Sequence, residues 1–141
     1  VLAIACGIVE GRGLGDNARA ALITRGLAEM MRFGRAKGAT SETMTGLAGM
    51  GDLVLTCNAM QSRNFSFGYA RGQGQSVAEI LASRVAVTEG VTSAVSVTEL
   101  AEKLGVDMPI CQAVNAIIHH NQDIDGAIAS LMDRPLRPES E

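Results

Sequence analysis

The stretch that organises this sequence is GLAGMGDLVLTCNAMQSRN, residues 46–64, where polar side chains interrupt an otherwise apolar sequence. Asp52 and Thr56 are four residues apart, so a helix over residues 52–57 places both on one face. The apolar run 53–55 is expected to pack into a core, and the glycines before it to allow close backbone packing. An active site, if the chain carries one, is predicted here.

Ser62, Arg63 and Asn64 close this stretch where a new helix is predicted to begin. Free backbone N–H groups at a helix N-terminus and a bidentate guanidinium are two common ways in which a protein holds a phosphate. The alternative is that Asp52 and Ser62 only cap helices and that Arg63 is a solvated surface charge. The combination of these residues favours an anion site.

The composition limits the classes of function that the chain can serve. Of its 141 residues, 47% are hydrophobic and 3% aromatic, and the net charge is −3. A nucleic-acid surface is excluded because it needs a basic face or stacking aromatic side chains. No apolar run is long enough to cross a bilayer, so no membrane contact is expected. The widely spaced cysteines predict reduced cytoplasmic thiols and no metal site: Cys6, Cys57 and Cys111.

Apolar residues recur at helical spacing along the whole chain without strand-like alternation, which predicts an all-α fold. The helix predicted over residues 16–37 has a broad apolar face and is therefore expected to be the central one. Asp16 and Asn17 are expected to cap its start. Its polar strip, formed by Arg25, Glu29 and Arg32, is interpreted as a solvated ladder of charges.

Local signals mark other helix ends. Ser76 with Glu79 has the pattern of a capping box. Gly105 is expected to end one helix, and Pro109 to open the next at its first turn. Prolines and charged residues predict a frayed tail over residues 134–141.

Five motifs, in this order, resemble the C-terminal, substrate-binding domain of bacterial NAD(P)-dependent glycerol-3-phosphate dehydrogenase. They are GDNARAALITRGLAEM at residues 15–30, GLAGMGDLVLTC at 46–57, SRN at 62–64, EGV at 89–91 and GVDMPI at 105–110. The resemblance covers residues 1 to about 133. It implies an all-helical bundle of the 6-phosphogluconate dehydrogenase C-terminal type, which in the family follows an N-terminal Rossmann domain. The chain is therefore predicted to be a fragment that is inactive by itself.

The resemblance also implies a chemistry. In the family a hydride moves reversibly between NAD or NADP and C2 of dihydroxyacetone phosphate, which gives sn-glycerol 3-phosphate for phospholipid synthesis. A cytoplasmic homodimer is expected, and a lysine just upstream of Val1 is expected to be the general acid and base. The resemblance implies that Asp52 and Thr56 stand near the lysine and the substrate hydroxyls. It implies that Ser62, Arg63 and Asn64 bind the substrate phosphate. It also implies that Arg63, Val87 and Glu89 contact the cofactor.

Two other interpretations stay open. The chain could act only as a structural and dimerisation module, or it could be the substrate domain of a related reductase such as a ketopantoate-type enzyme. The triplet of residues 62–64 favours a phosphorylated substrate, because a plain carboxylate has less need of it. For Glu89, the alternative is a carboxylate that only stabilises the N-terminus of the helix that follows.

Overall fold

The computed structural model describes residues 1–86 and 88–135. Helices occupy these ranges in the following order: α1 (Leu2–Gly11), α2 (Asp16–Ala36), α3 (Ser41–Thr45), a turn of π-helix (Leu47–Gly51), α4 (Asp52–Thr56), α5 (Arg63–Gly72), α6 (Val77–Ala82), α7 (Glu89–Leu104), α8 (Pro109–His119) and α9 (Ile124–Met132). No strand occurs within the described ranges, so the predicted all-α fold is confirmed. The predicted cofactor contact of Val87 and residues 136–141 of the predicted tail lie outside them.

The central helix is α1, and the prediction that α2 would be central is wrong. Every residue of α1 from 2 to 9 is buried, whereas the only buried residues of α2 are Gly26, Glu29 and Gly34. The physical reason is charge distribution. No charged residue occurs in α1 before Glu10, so neighbouring helices can cover it on all sides, while the arginines of α2 keep part of its surface in water.

Glycines at a spacing of four bring α1 and α5 into close contact. Gly7 and Gly11 of α1 face Gly68 and Gly72 of α5. A Cβ on Gly68 would lie 2.8 Å from the carbonyl carbon of Ile4, and one on Gly11 would lie 3.1 Å from Cα of Gly72. The two backbones therefore pack without intervening side chains, as the small-residue composition allows.

The same contacts give the direction of the two helices. Gly68 lies against the carbonyl of Ile4, and Gly72, one turn later, lies against that of Ile8. The contacts advance together along both helices, so α1 and α5 run parallel. Their N-termini therefore lie at the same end of the bundle.

Capping residues set several helix ends as predicted. Ser62 Oγ accepts a hydrogen bond from the N–H of Phe65 at 3.2 Å and begins α5. The capping box of Ser76 and Glu79 has both of its hydrogen bonds. Gly105 ends α7 with a φ of +67°, in the left-handed region that glycine adopts without strain.

The cap predicted at Asp16 and Asn17 is wrong. The N-cap of α2 is Gly15, with a φ of +91°, and no side chain caps this end. Asp16 is already helical, and its carboxylate accepts a hydrogen bond from Arg19 at 2.9 Å. The carboxylate still lies in the first turn, where it opposes the positive end of the helix dipole.

The predicted solvated ladder on α2 is also wrong, because Glu29 is only 1% exposed. Its carboxylate crosses to the first turn of α8, where it accepts from the N–H of Ile110 at 2.6 Å and from that of Cys111 at 3.3 Å. Burial raises the pKa of Glu29 to about 7, although the two N–H donors act to lower it. Arg32 donates to the carbonyl of Asp107 at 3.0 and 3.1 Å, so the strip joins α2 to α8 rather than meeting water.

No helix in the described part of the chain is long and apolar enough to cross a membrane.

Candidate functional site

The short helix α4 carries Asp52 at its start and Thr56 at its end. The Thr56 hydroxyl donates to the backbone carbonyl of Asp52 at 2.9 Å, so the two residues lie one turn apart as predicted. Asp52 is exposed, and its carboxylate has no hydrogen bond or ion pair within residues 1–86 and 88–135. This carboxylate is therefore available to a ligand or to a lysine.

The apolar residues that follow Asp52 are more exposed than predicted. Leu53 is buried, but Val54 is 40% and Leu55 69% exposed, so the prediction that this whole run packs into the core is wrong. The reason is that a five-residue helix at the surface can turn only one face inward. The predicted close packing holds for Gly49, because a Cβ there would lie 2.6 Å from the carbonyl carbon of Met44.

The first turn of α5 presents the predicted phosphate triplet. Arg63 is half exposed, and its Nη2 lies 3.5 Å from Oε1 of Glu89, which is 69% exposed. Asn64 Oδ1 accepts a hydrogen bond from the N–H of Gly90 at 2.8 Å. That bond leaves the Asn64 amide group as a donor, beside the guanidinium of Arg63.

The N-terminus of α7 joins this cluster. Glu89 is the first residue of α7, so it has the helix-stabilising position of the alternative interpretation and also faces Arg63. A Cβ on Gly90 would collide with the Asn64 side chain and lie 2.9 Å from Cδ1 of Ile4. The N-termini of α1, α5 and α7 therefore meet at one place, and helix N-termini favour anions.

The structure thus brings together Ser62, Arg63, Asn64 and Glu89. No hydrogen bond joins Asp52 or Thr56 directly to this cluster within the described residues. Both parts contact α1, because Cys57, which follows α4, lies beside Cys6 of α1 in the core. The neighbouring Cys57 side chain and burial raise the pKa of Cys6, so its thiol stays protonated. All three cysteines are free and buried, as predicted.

Two residues of this region were missed by the sequence reasoning. Arg84 donates to the carbonyl of Arg63 at 3.1 Å, although no spacing pattern in the sequence connects these positions. Thr88 is 3% exposed, and its hydroxyl has no partner within the described residues. In the sequence, only the position of Thr88 just before Glu89 and Gly90 could have indicated that it belongs to this region.

A cavity lies away from these residues. A space of about 500 Å³ opens between α1, α2, α8 and α9, lined by Leu22, Arg25, Ile128 and Leu131 among others, and by none of the predicted site residues. The helix N-termini around Arg63 form an open surface instead. Across the described ranges, no three His, Cys, Asp or Glu side chains stand close enough together to hold a metal ion.

Comparison with known proteins gives consistent matches. The family model described as "NAD-dependent glycerol-3-phosphate dehydrogenase C-terminus" matches residues 1–129. A glycerol-3-phosphate dehydrogenase [NAD(P)+] from Rhodospirillum rubrum is 58% identical over 139 residues, which are 99% of this chain and 40% of that protein. One from Erythrobacter litoralis is 59% identical over 141 residues, which are 100% of this chain and 42% of that protein.

A solved structure agrees. The crystal structure of glycerol-3-phosphate dehydrogenase from Coxiella burnetii superposes with a TM-score of 0.91 at 47% sequence identity, over 94% of this chain and 41% of that one. The chain thus spans about two fifths of the length of these relatives.

Proposed function

Because this chain belongs to the NAD-dependent glycerol-3-phosphate dehydrogenase family, as its C-terminal domain, we propose that it is the substrate-binding half of an NAD(P)-dependent oxidoreductase. The reaction is the reversible reduction of dihydroxyacetone phosphate to sn-glycerol 3-phosphate, which serves phospholipid synthesis. One observation carries the proposal: Arg63, Asn64 and the N-termini of α5 and α7 converge on one open surface. Residues 1–133 form the domain in this proposal.

The phosphate of the substrate binds at the first turn of α5. The Arg63 guanidinium supplies a planar fork of donors that matches two phosphate oxygens. The Asn64 amide group donates beside it, since its oxygen is held by Gly90. Ser62 adds its hydroxyl hydrogen, because its oxygen already accepts from Phe65 as the helix cap. The helix N-terminus favours the negative charge of the phosphate.

The reacting carbonyl then lies toward Asp52 and Thr56. In the family resemblance the catalytic lysine stands just upstream of Val1, and Val1 is at the N-terminal end of α1, near the start of α5. An exposed Asp52 carboxylate close to that lysine keeps it charged and fixes its position. A lysine held there donates its proton to the carbonyl oxygen, where negative charge grows during reduction.

The residues at the N-terminus of α7 fit a nicotinamide cofactor. Arg63 and Glu89 are both exposed and stand 3.5 Å apart, a separation at which an exposed pair holds its members weakly, so each can turn to a ligand. Glu89 offers acceptors to amide or hydroxyl donors, Arg63 offers donors, and Val87 is a third proposed contact. The bound nicotinamide, of NAD or NADP, supplies the hydride.

The proposal includes a cytoplasmic homodimer. Free, buried cysteines are typical of a reducing compartment. Large apolar side chains at the surface can pack against another domain or subunit. Leu47 is 92%, Leu55 69% and Met132 69% exposed.

Steady-state kinetics on the full-length protein test the proposal. We expect oxidation of NADH or NADPH with dihydroxyacetone phosphate and none with ketopantoate, which offers a carboxylate in place of a phosphate. Each cofactor is assayed separately, and the reverse reaction is followed from sn-glycerol 3-phosphate. Turnover of ketopantoate without turnover of dihydroxyacetone phosphate would instead support the related-reductase interpretation.

A further inference from the structure

Arg84 lies between α6 and α7 and reaches back to the first turn of α5. Its Nη1 donates to the backbone carbonyl of Arg63 at 3.1 Å, and its Nη2 donates to Oγ of Ser66 at 3.0 Å. The Ser66 hydroxyl donates in turn to the same Arg63 carbonyl at 3.2 Å. The guanidinium carbon stands 5.9 Å from the ring centroid of Phe67, which is fully buried. The fork of Arg84 is thus held by two acceptors and one aromatic ring.

Two further contacts join the first turn of α5 to the N-terminus of α7. The N–H of Gly90 donates to the Asn64 side chain, and Glu89 faces the Arg63 guanidinium. Both of these contacts use side chains that the proposed function assigns to substrate or cofactor. Arg84 differs because it acts on the backbone of Arg63 and on Ser66, neither of which has a proposed contact with a ligand. The hydrogen bonds of Arg84 can therefore remain in place when a ligand binds.

We propose that Arg84 is a positioning residue for the phosphate site, an inference that rests on the proposed function. It ties the first turn of α5 to the segment that follows α6, so that Arg63 and Asn64 are held in place for the phosphate. First turns of helices fray when nothing holds them. A site that is ordered only part of the time binds its ligand more weakly in proportion to that fraction, while the bound complex reacts as before.

This role predicts an effect on KM rather than on kcat. In the full-length enzyme, Arg84→Met keeps an apolar stem over Phe67 and removes both donors. We expect the KM for dihydroxyacetone phosphate to rise about ten-fold, with kcat within about three-fold, because two hydrogen bonds from a charged group are lost. Arg84→Lys should recover part of the loss, since an ammonium lacks the planar fork. Arg35→Met, the same change at an exposed arginine of α2, is the matched control.

Two readouts separate positioning from a general structural role. Unphosphorylated dihydroxyacetone cannot use the phosphate site, so Arg84→Met should leave its kcat/KM within about two-fold. Inorganic phosphate, titrated calorimetrically, should bind about ten-fold more weakly to Arg84→Met and unchanged to Arg35→Met. The phosphate titration does not need turnover. A wild-type enzyme that fails to reduce dihydroxyacetone phosphate would therefore overturn the proposed function while the titration still decides the role of Arg84.

Three results would overturn the inference. An unchanged KM and unchanged phosphate affinity in Arg84→Met would show that the first turn of α5 holds itself. Equal losses on phosphorylated and unphosphorylated substrates would show a general structural defect. Full recovery by Arg84→Lys would assign the effect to charge alone. If Arg84→Met does not fold, Arg84→Lys decides: an intermediate rise in KM supports positioning, and wild-type values contradict it.

Discussion

Protonation of Glu29 should control part of the stability of the fold. Its carboxylate is 1% exposed and caps α8 from α2. Burial raises its pKa from 4.5 to about 7, so the folded state binds a proton more tightly than the unfolded chain does. The resulting stabilisation is complete below pH 4.5 and is lost as the pH rises through 7. The difference in pKa corresponds to about 3 kcal/mol over that window.

The substitution that isolates this effect is Glu29→Gln, which stays neutral at every pH. One oxygen can still accept from Ile110, but the N–H of Cys111 loses its partner, so a constant loss of about 1–2 kcal/mol is expected. The pH-dependent part appears in the difference between the two proteins. Relative to Glu29→Gln, the wild type should lose about 3 kcal/mol of unfolding free energy between pH 4.5 and pH 8.

Urea denaturation followed by circular dichroism at several pH values measures this difference in the 141-residue chain. Glu42→Gln, the same chemical change at an exposed residue of α3, is the matched control and should follow the wild-type curve. A constant difference between wild type and Glu29→Gln from pH 4.5 to pH 8 would refute the reasoning. It would mean that the carboxylate titrates alike in the folded and unfolded states.

The remaining predictions concern packing, the phosphate site and the isolated chain. Gly68→Ala should cost at least about 2 kcal/mol of unfolding free energy, because its Cβ meets the backbone of Ile4, whereas Gly126→Ala on α9 should be neutral or slightly stabilising. In the full-length enzyme, Asn64→Asp keeps the acceptor for Gly90 but replaces the donor with a negative charge, so the KM for dihydroxyacetone phosphate should rise by about ten-fold or more without loss of thermal stability. The 141-residue chain alone should give a helical circular dichroism spectrum and no dehydrogenase activity; turnover by this purified chain would contradict the predicted inactivity.

Local signals in the sequence predicted the helices and many of their ends. The capping box at Ser76, the cap at Ser62 and the helix end at Gly105 involve only neighbours in the chain, and all three are confirmed. The prediction of the central helix failed because which helix is central depends on how the other helices pack around it. The four-residue spacing of the glycines in α1 and in α5 was present in the sequence, but it acquires meaning only when the two helices are brought together.

For the charged and polar residues too, local spacing predicted neighbours on one helix but not contacts between distant parts of the chain. Spacing placed Arg25, Glu29 and Arg32 on one strip of α2, but it could not show that the partners of Glu29 lie about eighty residues later, at the start of α8. Spacing and residue type singled out Asp52, Thr56 and residues 62–64. The family resemblance added Val87 and Glu89, and the roles of all these residues remain proposals. Their surroundings, above all the contact of Arg84 with the Arg63 carbonyl, follow from packing that no local pattern encodes.

The most direct test of the account is the kinetics of Arg63→Ala and Arg63→Lys in the full-length enzyme with dihydroxyacetone phosphate. A guanidinium that grips the phosphate contributes binding energy from a part of the substrate that does not react, and that energy positions the carbonyl. Loss of hydrogen bonds worth roughly 1.5–3 kcal/mol should lower kcat/KM by about ten-fold to a few hundred-fold in Arg63→Ala, and Arg63→Lys should recover little of it. Wild-type kcat/KM in both variants would instead make Arg63 a surface charge and remove the centre of the proposed phosphate site.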